Sequence, residues 1–358
     1  MMREMSSLER VEATLKGEMP DRIPVVLFLQ TGLQRSMLRE DITWQELLNS
    51  PARLHRITRL QHFRYGADNL FLPLDFRSGG EAFGSRSEYV IKSGSGMRIP
   101  AITRFALEDP SGIDDLPVPD VNAGRGKAIL QTIRSLHQDC GRQVPIVGFL
   151  NSPADTATDI LAGGYSSVLP MMATDKAALH RLLSKITEYN IAMGRAMLDA
   201  GASALTTVNG GFNDLTIGLQ DYREFITPYH TDIARSVGGP YCIHQCQDAT
   251  PFLDEMAATG CAAISVHEKV DLARAKARFR GRIVLAGNLG VSEADGVVCS
   301  GTPEQVEQAS FQAIRAAGAD GRFWLSAGCE VHHAVPEENI MALTGAPAKF
   351  ALAGGFHK

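Results

Sequence analysis

The chain alternates between short, nearly continuous apolar runs and longer stretches in which apolar residues recur at helical spacing. Uninterrupted apolar strands separated by helices are typical of a parallel sheet that is covered on both faces. Eight such runs predict a closed (β/α)₈ barrel rather than an open, doubly wound sheet. The predicted strands are "VVLFL" (25–29), "LFLPL" (70–74), "IVGFL" (146–150), "ALTTV" (204–208), "YCIHQ" (241–245), "AAISV" (262–266), "IVLAG" (283–287) and "FWLSA" (323–327).

Helix signals fill most of the intervals between these runs. "GTPEQ" offers Thr302 as an N-cap, Pro303 at the first helical position and Gln305 to complete a capping box. "AVPEENIMAL" repeats the proline start at Pro336. The region before the first predicted strand is expected to form a helical extension. Because no repeat or low-complexity linker divides the chain, we predict a single barrel domain over residues 1–358.

Residues 76–119, after the second predicted strand, break the alternation. They are rich in Gly and Ser and contain the extended stretches "SEYVIKSG" and "MRIPAITRF". This pattern predicts a hairpin-bearing insertion that covers part of the barrel mouth. The segment "SGSG" (93–96) is expected to be a turn rather than a phosphate-binding loop, because no helix follows it directly.

Composition and charge narrow the class of protein. The 358 residues include 35 Lys and Arg against 40 Asp and Glu, a net charge of −5, which argues against binding to nucleic acid or to anionic membranes. No apolar run approaches the roughly 20 residues of a membrane span, and the charged N-terminus lacks the apolar segment of a signal peptide. We therefore expect a cytoplasmic protein whose six cysteines are not a disulfide framework.

Polar side chains follow all eight predicted strands. Active sites of this fold lie at the carboxyl ends of the strands. Each of these residues could alone be a helix cap or a loop residue, but their joint placement predicts a polar pocket at the barrel mouth. In chain order they are Gln30, Asp75, Asn151, Asn209, His244 with Cys246, His267 with Glu268, Asn288, and Cys329 with Glu330.

Two of these strand ends carry residues that bind metals. His244 and Cys246 are two residues apart, so at a strand end they point to the same side, and Cys329 follows the last predicted strand at a comparable depth. Zn²⁺ binds imidazole and thiolate, and its catalytic sites keep one position open. The alternative is that all six cysteines are small buried hydrophobic residues. The combination of the pair with the distant cysteine favours a metal site.

Several stretches give the chain a recognisable likeness: "IHQC", "GNLG", "GTPEQV", "SAGCEV" and "PEENIMAL", with "RVEATLKGEMPDRIPV" near the N-terminus. Together they resemble the uroporphyrinogen decarboxylase superfamily over nearly the entire chain. The sequence looks most like the cobalamin-dependent methyltransferases of that superfamily, which pass a methyl group between a corrinoid protein and a thiol such as coenzyme M. The resemblance implies a (β/α)₈ barrel, a Zn²⁺ ion held by His244, Cys246 and Cys329, and a corrinoid carried by a partner protein.

The decarboxylase branch of the superfamily is a poorer match. Decarboxylases carry an Arg-Gln-Ala-Gly-Arg motif whose arginines hold the carboxylates of the tetrapyrrole. Here the matching stretch is "LQTGL", with Leu29 and Leu33 in place of the two arginines. Unpaired carboxylates would be costly to bury. Asp159 stands where decarboxylases have a tyrosine, although Asp75 falls near their catalytic aspartate. We therefore expect methyl transfer rather than decarboxylation.

The resemblance to the methyltransferases also suggests roles for other residues at the mouth. Coordination to Zn²⁺ would deprotonate a thiol whose ordinary pKa is about 8.5, and Asp75 is the predicted catalytic carboxylate. The residues predicted to bind substrate are Gln30, Glu81, Asn151, Asn209, His267 and Asn288.

Two departures leave the methyl acceptor open. His267 stands where an Asp is expected, and Asn209 stands where relatives often have an acid. Tetrahydrofolate is therefore an alternative acceptor, with Asp75 or Asp214 near the pterin. A uroporphyrinogen decarboxylase remains a second possibility, and a non-catalytic carrier of a corrinoid or tetrapyrrole is a third. The metal ligands count against the carrier, which has no need for an ion that activates a thiol.

Overall fold

The computed structural model describes residues 3–91, 98–279, 281–292 and 295–355. Its strands are β1 (Leu70–Leu72), β2 (Arg86–Ile91), β3 (Arg98–Arg104), β4 (Ile146–Asn151), β5 (Ala204–Asn209), β6 (Tyr241–Gln245), β7 (Ala263–Val266), β8 (Val284–Leu289) and β9 (Phe323–Ala327). The helices before β4 are α1 (Ser7–Lys16), α2 (Gln34–Arg39), α3 (Trp44–Leu48), α4 (Pro51–Phe63), α5 (Ser78–Ala82) and α6 (Gly124–Cys140). Those after β4 are α7 (Pro153–Ile160), α8 (Tyr165–Thr174), α9 (Lys176–Asp199), α10 (Leu219–Asp221), α11 (Thr227–Ser236), α12 (Leu253–Ala258), α13 (Leu272–Phe279), α14 (Val297–Ser300), α15 (Pro303–Ala317) and α16 (Glu337–Leu352).

Seven strands form one parallel sheet in the order β1-β4-β5-β6-β7-β8-β9. These strands are almost entirely buried, as expected of parallel strands that are covered by helices. The sheet curls into the predicted (β/α)₈ barrel, and seven of the eight predicted strands are confirmed.

The prediction of a regular first strand at 25–29 was wrong. This segment lies between β9 and β1, but it makes only isolated bridges, from Val25 to Leu325 and from Leu29 to Val331. On its other side, the amide side chain of Asn69 bonds both the N–H and the carbonyl of Leu27, at 2.8 and 3.0 Å. A side chain therefore replaces part of the backbone ladder where the barrel closes, because buried backbone groups still require partners.

The insertion after β1 contains the predicted hairpin. β2 and β3 pair in antiparallel register, with Glu88 opposite Ala101. The "SGSG" segment lies outside the described residues, so the predicted turn stays a prediction. Pro100 of β3 lines a cavity of about 200 Å³ that also contains Asp75 and Arg77. The hairpin therefore reaches the strand ends on this side of the barrel.

The predicted N-terminal extension is α1, which closes the opposite end of the barrel. Its start is fixed by a capping box in which Ser6 Oγ accepts from Glu9 N and the Glu9 carboxylate accepts from Ser6 N. Val11 and Leu15 of this helix pack against a small apolar cluster inside the barrel that includes Val26 and Trp324. This cluster is separate from the main core between the sheet and the outer helices.

The helix signals around the last strand are confirmed with one small correction. Thr302 and Gln305 form the expected capping box of α15. Pro336 is the N-cap of α16 rather than its first residue, so the helix begins at Glu337. Within the described ranges, every helix is too short or too polar to cross a bilayer.

Candidate functional site

A pocket of about 260 Å³ opens at the carboxyl ends of the barrel strands. Six of the residues predicted from strand ends line it, namely Gln30, Asn151, His244, Cys246, Cys329 and Glu330. Aromatic rings cover part of its wall: Phe28, Phe71 and Phe76. The pocket is therefore largely apolar, with a few polar groups converging on one side, which is the usual character of a small-molecule site.

His244, Cys246 and Cys329 come together at this pocket. His244 lies on β6, Cys246 follows that strand directly, and Cys329 lies two residues beyond β9. One ligand atom from each residue lies within 4.8 Å of the others, and the two Sγ atoms are 4.0 Å apart. Two thiolates on a tetrahedral Zn²⁺ with Zn–S bonds of about 2.3 Å would lie about 3.8 Å apart. The spacing of the three side chains fits such an ion without rearrangement of the strands.

The orientation of His244 leaves one ring nitrogen free. Nδ1 lies 2.9 Å from Ser265 Oγ on the neighbouring strand β7, and the ring packs edge-on against Phe28 with centroids 5.3 Å apart. Nε2 is buried and has no hydrogen-bond partner among the described residues. Metal-bound histidines commonly use their second nitrogen to bond a polar neighbour, which fixes the ring. A buried Nε2 without a partner and an Nδ1 held by a hydrogen bond are what an imidazole that binds a metal requires.

The two thiols perturb each other. Contact with Cys329 and burial raise the pKa of Cys246 well above its ordinary value, whereas contact with Cys246 and with His244 lowers the pKa of Cys329 well below it. The pair therefore favours a single thiolate, because a second negative charge in a buried site is costly. A divalent cation would remove that cost and allow both sulfurs to be thiolates.

An arginine–carboxylate pair lies across the same pocket. Arg77 Nη1 is 2.7 Å from Asp159 Oδ1, and Asp155 and Tyr165 line the pocket beside them. Burial raises the pKa of Asp159 to about 7, with a further rise from Asp155, and Arg77 only partly offsets this. Asp159 is thus poised between its neutral and charged forms near pH 7.

Sequence reasoning noted Asp159 only as the replacement for a decarboxylase tyrosine, and it missed three other pocket residues. Arg77 lies two positions beyond Asp75, so the same strand end carried a signal for it. Asp155 and Tyr165 belong to α7 and to the start of α8, and no local pattern indicates that they turn toward the mouth.

Asp75 and Glu81 are both held by one arginine. The Arg125 guanidinium donates to Asp75 Oδ2 and lies 2.8 Å from Glu81 Oε2, while Asp75 Oδ1 accepts from Arg77 N at 2.8 Å. Asp75 lines the adjoining cavity of about 200 Å³, and Glu81 lines a separate cavity of about 560 Å³ beside the hairpin. Neither carboxylate is among the residues that line the pocket with the cysteines.

Three other predicted residues lie away from this pocket. Asn209 is fully buried, where it bonds His230 Nε2 at 2.9 Å and Gln245 Oε1 at 3.1 Å. Asn288 donates to the carbonyls of His267 and Val270. His267 is itself buried, with Nε2 3.5 Å from Glu268 Oε2. These side chains brace the loops and strands around the mouth.

The remaining sequence arguments concern leucines and cysteines. Leu29 and Leu33 are fully buried in the core, so nothing cationic replaces the missing arginines at those positions. Cys140, Cys242 and Cys261 are buried, and all six cysteines are free thiols. Cys299 is half-buried and lies 3.3 Å from His332 Nε2. Within the described part of the chain, the only cluster suited to a metal is the one at His244.

Comparison with known proteins places the chain in a family. The family model for uroporphyrinogen decarboxylase (URO-D) matches residues 6–350. The chain therefore belongs to the uroporphyrinogen decarboxylase family, and the sequence resemblance is confirmed.

Individual relatives differ in how much of the chain they match. The methylcobamide:CoM methyltransferase MtbA of Methanosarcina mazei is 26% identical, with 96% of this chain and 97% of that protein aligned. A uroporphyrinogen decarboxylase of Pelodictyon phaeoclathratiforme is also 26% identical, but the match covers 85% of this chain and 86% of that protein. Among solved structures, a methyltransferase from Methanosarcina mazei superposes with a TM-score of 0.86 at 26% identity, covering 97% of this chain and 99% of that one.

Proposed function

We propose that the chain is a zinc-dependent methyltransferase that moves a methyl group from a methylcobamide, carried by a partner corrinoid protein, to a small thiol such as coenzyme M. The observation that carries the proposal is the set of His244, Cys246 and Cys329 at the mouth of the barrel, with their ligand atoms within 4.8 Å of one another. The full-length match to a protein named as a methylcobamide:CoM methyltransferase supports it. We take residues 1–358 to be one barrel domain.

The three side chains would supply one imidazole and two thiolates to the ion. Zn²⁺ bound there would hold the substrate sulfur as a thiolate at neutral pH. Ser265 keeps the His244 ring in place through Nδ1, which leaves the buried Nε2, without a hydrogen-bond partner among the described residues, as the nitrogen for the ion. Cys329 projects from beyond β9 and Cys246 from the end of β6, which leaves the pocket side of the cluster for the substrate.

Arg77 and Asp159 are suited to the other end of the substrate. A substrate such as coenzyme M carries an anionic group, and Arg77 is the only lysine or arginine among the described residues that line the pocket. When Asp159 is protonated, the charge of Arg77 is free to pair with that anion. Because burial raises the pKa of Asp159 to about 7, its protonation costs little at neutral pH. Arg77 and Asp159 would therefore bind the anionic group of the substrate, while its thiol lies at the cluster of His244, Cys246 and Cys329.

The methyl donor would approach through the open mouth. In the transfer, the cobalt–carbon bond breaks and leaves its electron pair on cobalt, while the carbon bonds to the substrate sulfur. Phe28, Phe71 and Phe76 give the pocket an apolar wall, which excludes water from the thiolate. Holding the thiolate in line with the methyl group supplies much of the rate enhancement in such a displacement.

The pocket is less suited to a tetrapyrrole. A porphyrinogen with eight carboxylates requires several cations, and among the described residues that line the pocket the one lysine or arginine is Arg77. Its volume of about 260 Å³ is also below the range of about 300–1,000 Å³ of drug-sized ligand sites. Both features favour a small thiol over uroporphyrinogen.

Metal analysis and a spectroscopic assay test this function together. The wild-type chain is expected to bind about one Zn²⁺ and to demethylate methylcob(III)alamin when coenzyme M is added, which is followed by the visible spectrum. Cys329→Ser is expected to lose the metal and to slow demethylation by more than about 100-fold, beyond the 10–100-fold cost of changes outside the ligand shell. The matched control is Cys299→Ser, which alters a half-buried cysteine outside the cluster and is expected to keep both properties.

Three outcomes would contradict the proposal. Absence of zinc from the wild-type chain would remove the basis for thiol activation. Methyl transfer to tetrahydrofolate but to no thiol would show that the acceptor is a pterin and not a thiol. Release of carbon dioxide from uroporphyrinogen would show that the chain is a decarboxylase.

A further inference from the structure

A second cavity, of about 580 Å³, lies at the opposite end of the barrel from the candidate metal site. We call it the floor cavity and define it by Val11 and Leu15 of α1 together with Val26, Cys242, Ala286 and Trp324. It lies between the helix that closes the barrel and the inward-facing side chains of the strands. It shares only Phe28 with the described lining of the mouth pocket, so it is a separate space.

Small side chains create this space. The interior of a (β/α)₈ barrel is ordinarily filled by layers of bulky branched residues, and a gap in such a core loses packing contacts. Here, inward positions on four neighbouring strands carry small residues instead. They are Ala204 and Thr206 on β5, Cys242 on β6, Ala263 and Ser265 on β7, and Ala286 on β8.

A buried hydroxyl in the cavity lacks a partner. Thr206 is fully buried, and its Oγ1 has no hydrogen-bond partner among the residues that the structure describes. Such an atom destabilises the folded chain unless something bonds to it. Ser265 also lines the cavity, and its Oγ lies 2.9 Å from His244 Nδ1. If the imidazole donates there, the serine proton is left for a second acceptor. Both hydroxyls are suited to an oxygen atom of a ligand.

The charges of the lining limit which ligand fits. The lining contains two carboxylates, Glu12 and Asp199. Both side chains are exposed to water, so their charges are screened. An ionised ligand among the apolar residues would lose its hydration without gaining an ion pair there, because no described lysine or arginine lines the cavity. A neutral molecule avoids this penalty.

We propose that the floor cavity binds a neutral aliphatic molecule that carries one hydroxyl or carbonyl oxygen. The apolar chain lies against Val11, Leu15 and Trp324, and the oxygen bonds to the hydroxyls of Thr206 and Ser265. The volume of about 580 Å³ falls within the range of ligand cavities. Because Ser265 also contacts His244, the ligand ends directly beneath the candidate metal site.

Tryptophan fluorescence gives a direct test, because the chain has two tryptophans and Trp324 lines the cavity. The Trp44→Phe variant isolates the Trp324 emission. 8-Bromooctan-1-ol serves as the probe, since bromine quenches indole on contact. Saturable quenching is expected. Quenching that rises linearly with concentration, as for random collisions, would overturn the proposal.

Two further changes in the Trp44→Phe background locate the probe. Ala286→Leu adds three carbon atoms that project into the cavity beside Trp324 and is expected to weaken saturable quenching about tenfold or more, with Ala263→Val as the substitute if that variant does not fold. Thr206→Val keeps the shape but removes the hydroxyl. It is expected to weaken binding of the alcohol roughly tenfold and to leave binding of 1-bromooctane unchanged. Unaltered binding of the alcohol by a folded Ala286→Leu variant would show that the probe lies elsewhere, and equal losses for both probes in Thr206→Val would exclude the hydroxyl contact.

Discussion

Asp159 illustrates how burial and charge compete at a single side chain. The carboxyl group is removed from water and lies near Asp155 and Asp75, and both effects raise its pKa. Arg77, 2.7 Å away, lowers it, but its side chain is 39% exposed and water screens part of its charge. Burial is the larger effect, so the pKa of Asp159 rises to about 7.

This shift makes the stability of the chain depend on pH. An aspartate titrates near 3.9 when unfolded, so between about pH 4 and pH 7 the folded chain holds a proton that the unfolded chain has lost. Stability therefore falls as the pH rises through that window. Asp159→Asn is expected to remove this fall, which amounts to about 2 kcal/mol between pH 4.5 and pH 8 after allowance for screening. Urea unfolding of both chains at the two pH values measures it. If the free energy of unfolding changed equally with pH in the wild-type chain and in Asp159→Asn, the raised pKa of Asp159 would be contradicted.

For individual residues of the site, the sequence predicted some positions correctly and others not. The spacing of His244 and Cys246, with Cys329 at another strand end, predicted the cluster because strand ends of a barrel meet at one mouth. Asn209 was predicted to line the pocket, but it lies on the opposite face of strand β5. Val208 lines the pocket, so the next side chain along the strand must point to the opposite face. Arg77 lies in the loop after β1, close to the strand end, but a loop has no periodicity that fixes the direction of its side chain. Asp155 lies on α7, and the local sequence does not show which face of that helix is turned toward the mouth.

At the level of elements, sequence patterns predicted whatever depends on local or periodic signals. Seven strands were identified because buried parallel strands are continuously apolar, and α15 was identified from its capping box. The segment 25–29 is equally apolar, yet it forms only isolated bridges. On the β1 side of this segment, the side chain of Asn69 bonds both backbone groups of Leu27 in place of a backbone ladder. Asn69 and Leu27 are 42 positions apart, and a local sequence pattern cannot predict a contact over that separation.

A buried ionic cluster joins α1 to the barrel. Asp68 is fully buried, where it bonds Arg10, Arg22, Ser7 Oγ and the N–H of Val25. Removing one member of such a cluster leaves the others charged and without a partner. Asp68→Ala is therefore expected to lower the free energy of unfolding by about 3–5 kcal/mol, as measured by urea denaturation.

The control for this prediction is an exposed ion pair. Asp254 lies 2.6 Å from Arg278, but the two side chains are 66% and 39% exposed. Asp254→Ala is expected to cost less than about 1 kcal/mol, because water already solvates both charges. Equal losses in the two variants would mean that burial does not set the strength of the cluster around Asp68.

Across the whole molecule, the candidate metal site links distant parts of the ring of strands. Its ligands come from β6 and from beyond β9, with β7 and β8 between them in the sheet, and Cys246 and Cys329 are 83 residues apart. An ion bound to both would cross-link a long loop of chain. Because the unfolded chain offers no such preformed site, binding would stabilise the folded barrel as a unit.

The stability of the barrel should therefore follow the concentration of free zinc. Above the dissociation constant, each tenfold rise in free Zn²⁺ adds about 1.4 kcal/mol to the free energy of unfolding, or roughly 2 °C in Tm for a chain of this length. Calorimetry in chelator-buffered zinc measures the slope. Cys299→Ser is expected to keep it, and Cys329→Ser is expected to show none, because only Cys329 belongs to the cluster. A slope that survives in Cys329→Ser would mean that zinc stabilises the chain from some other place.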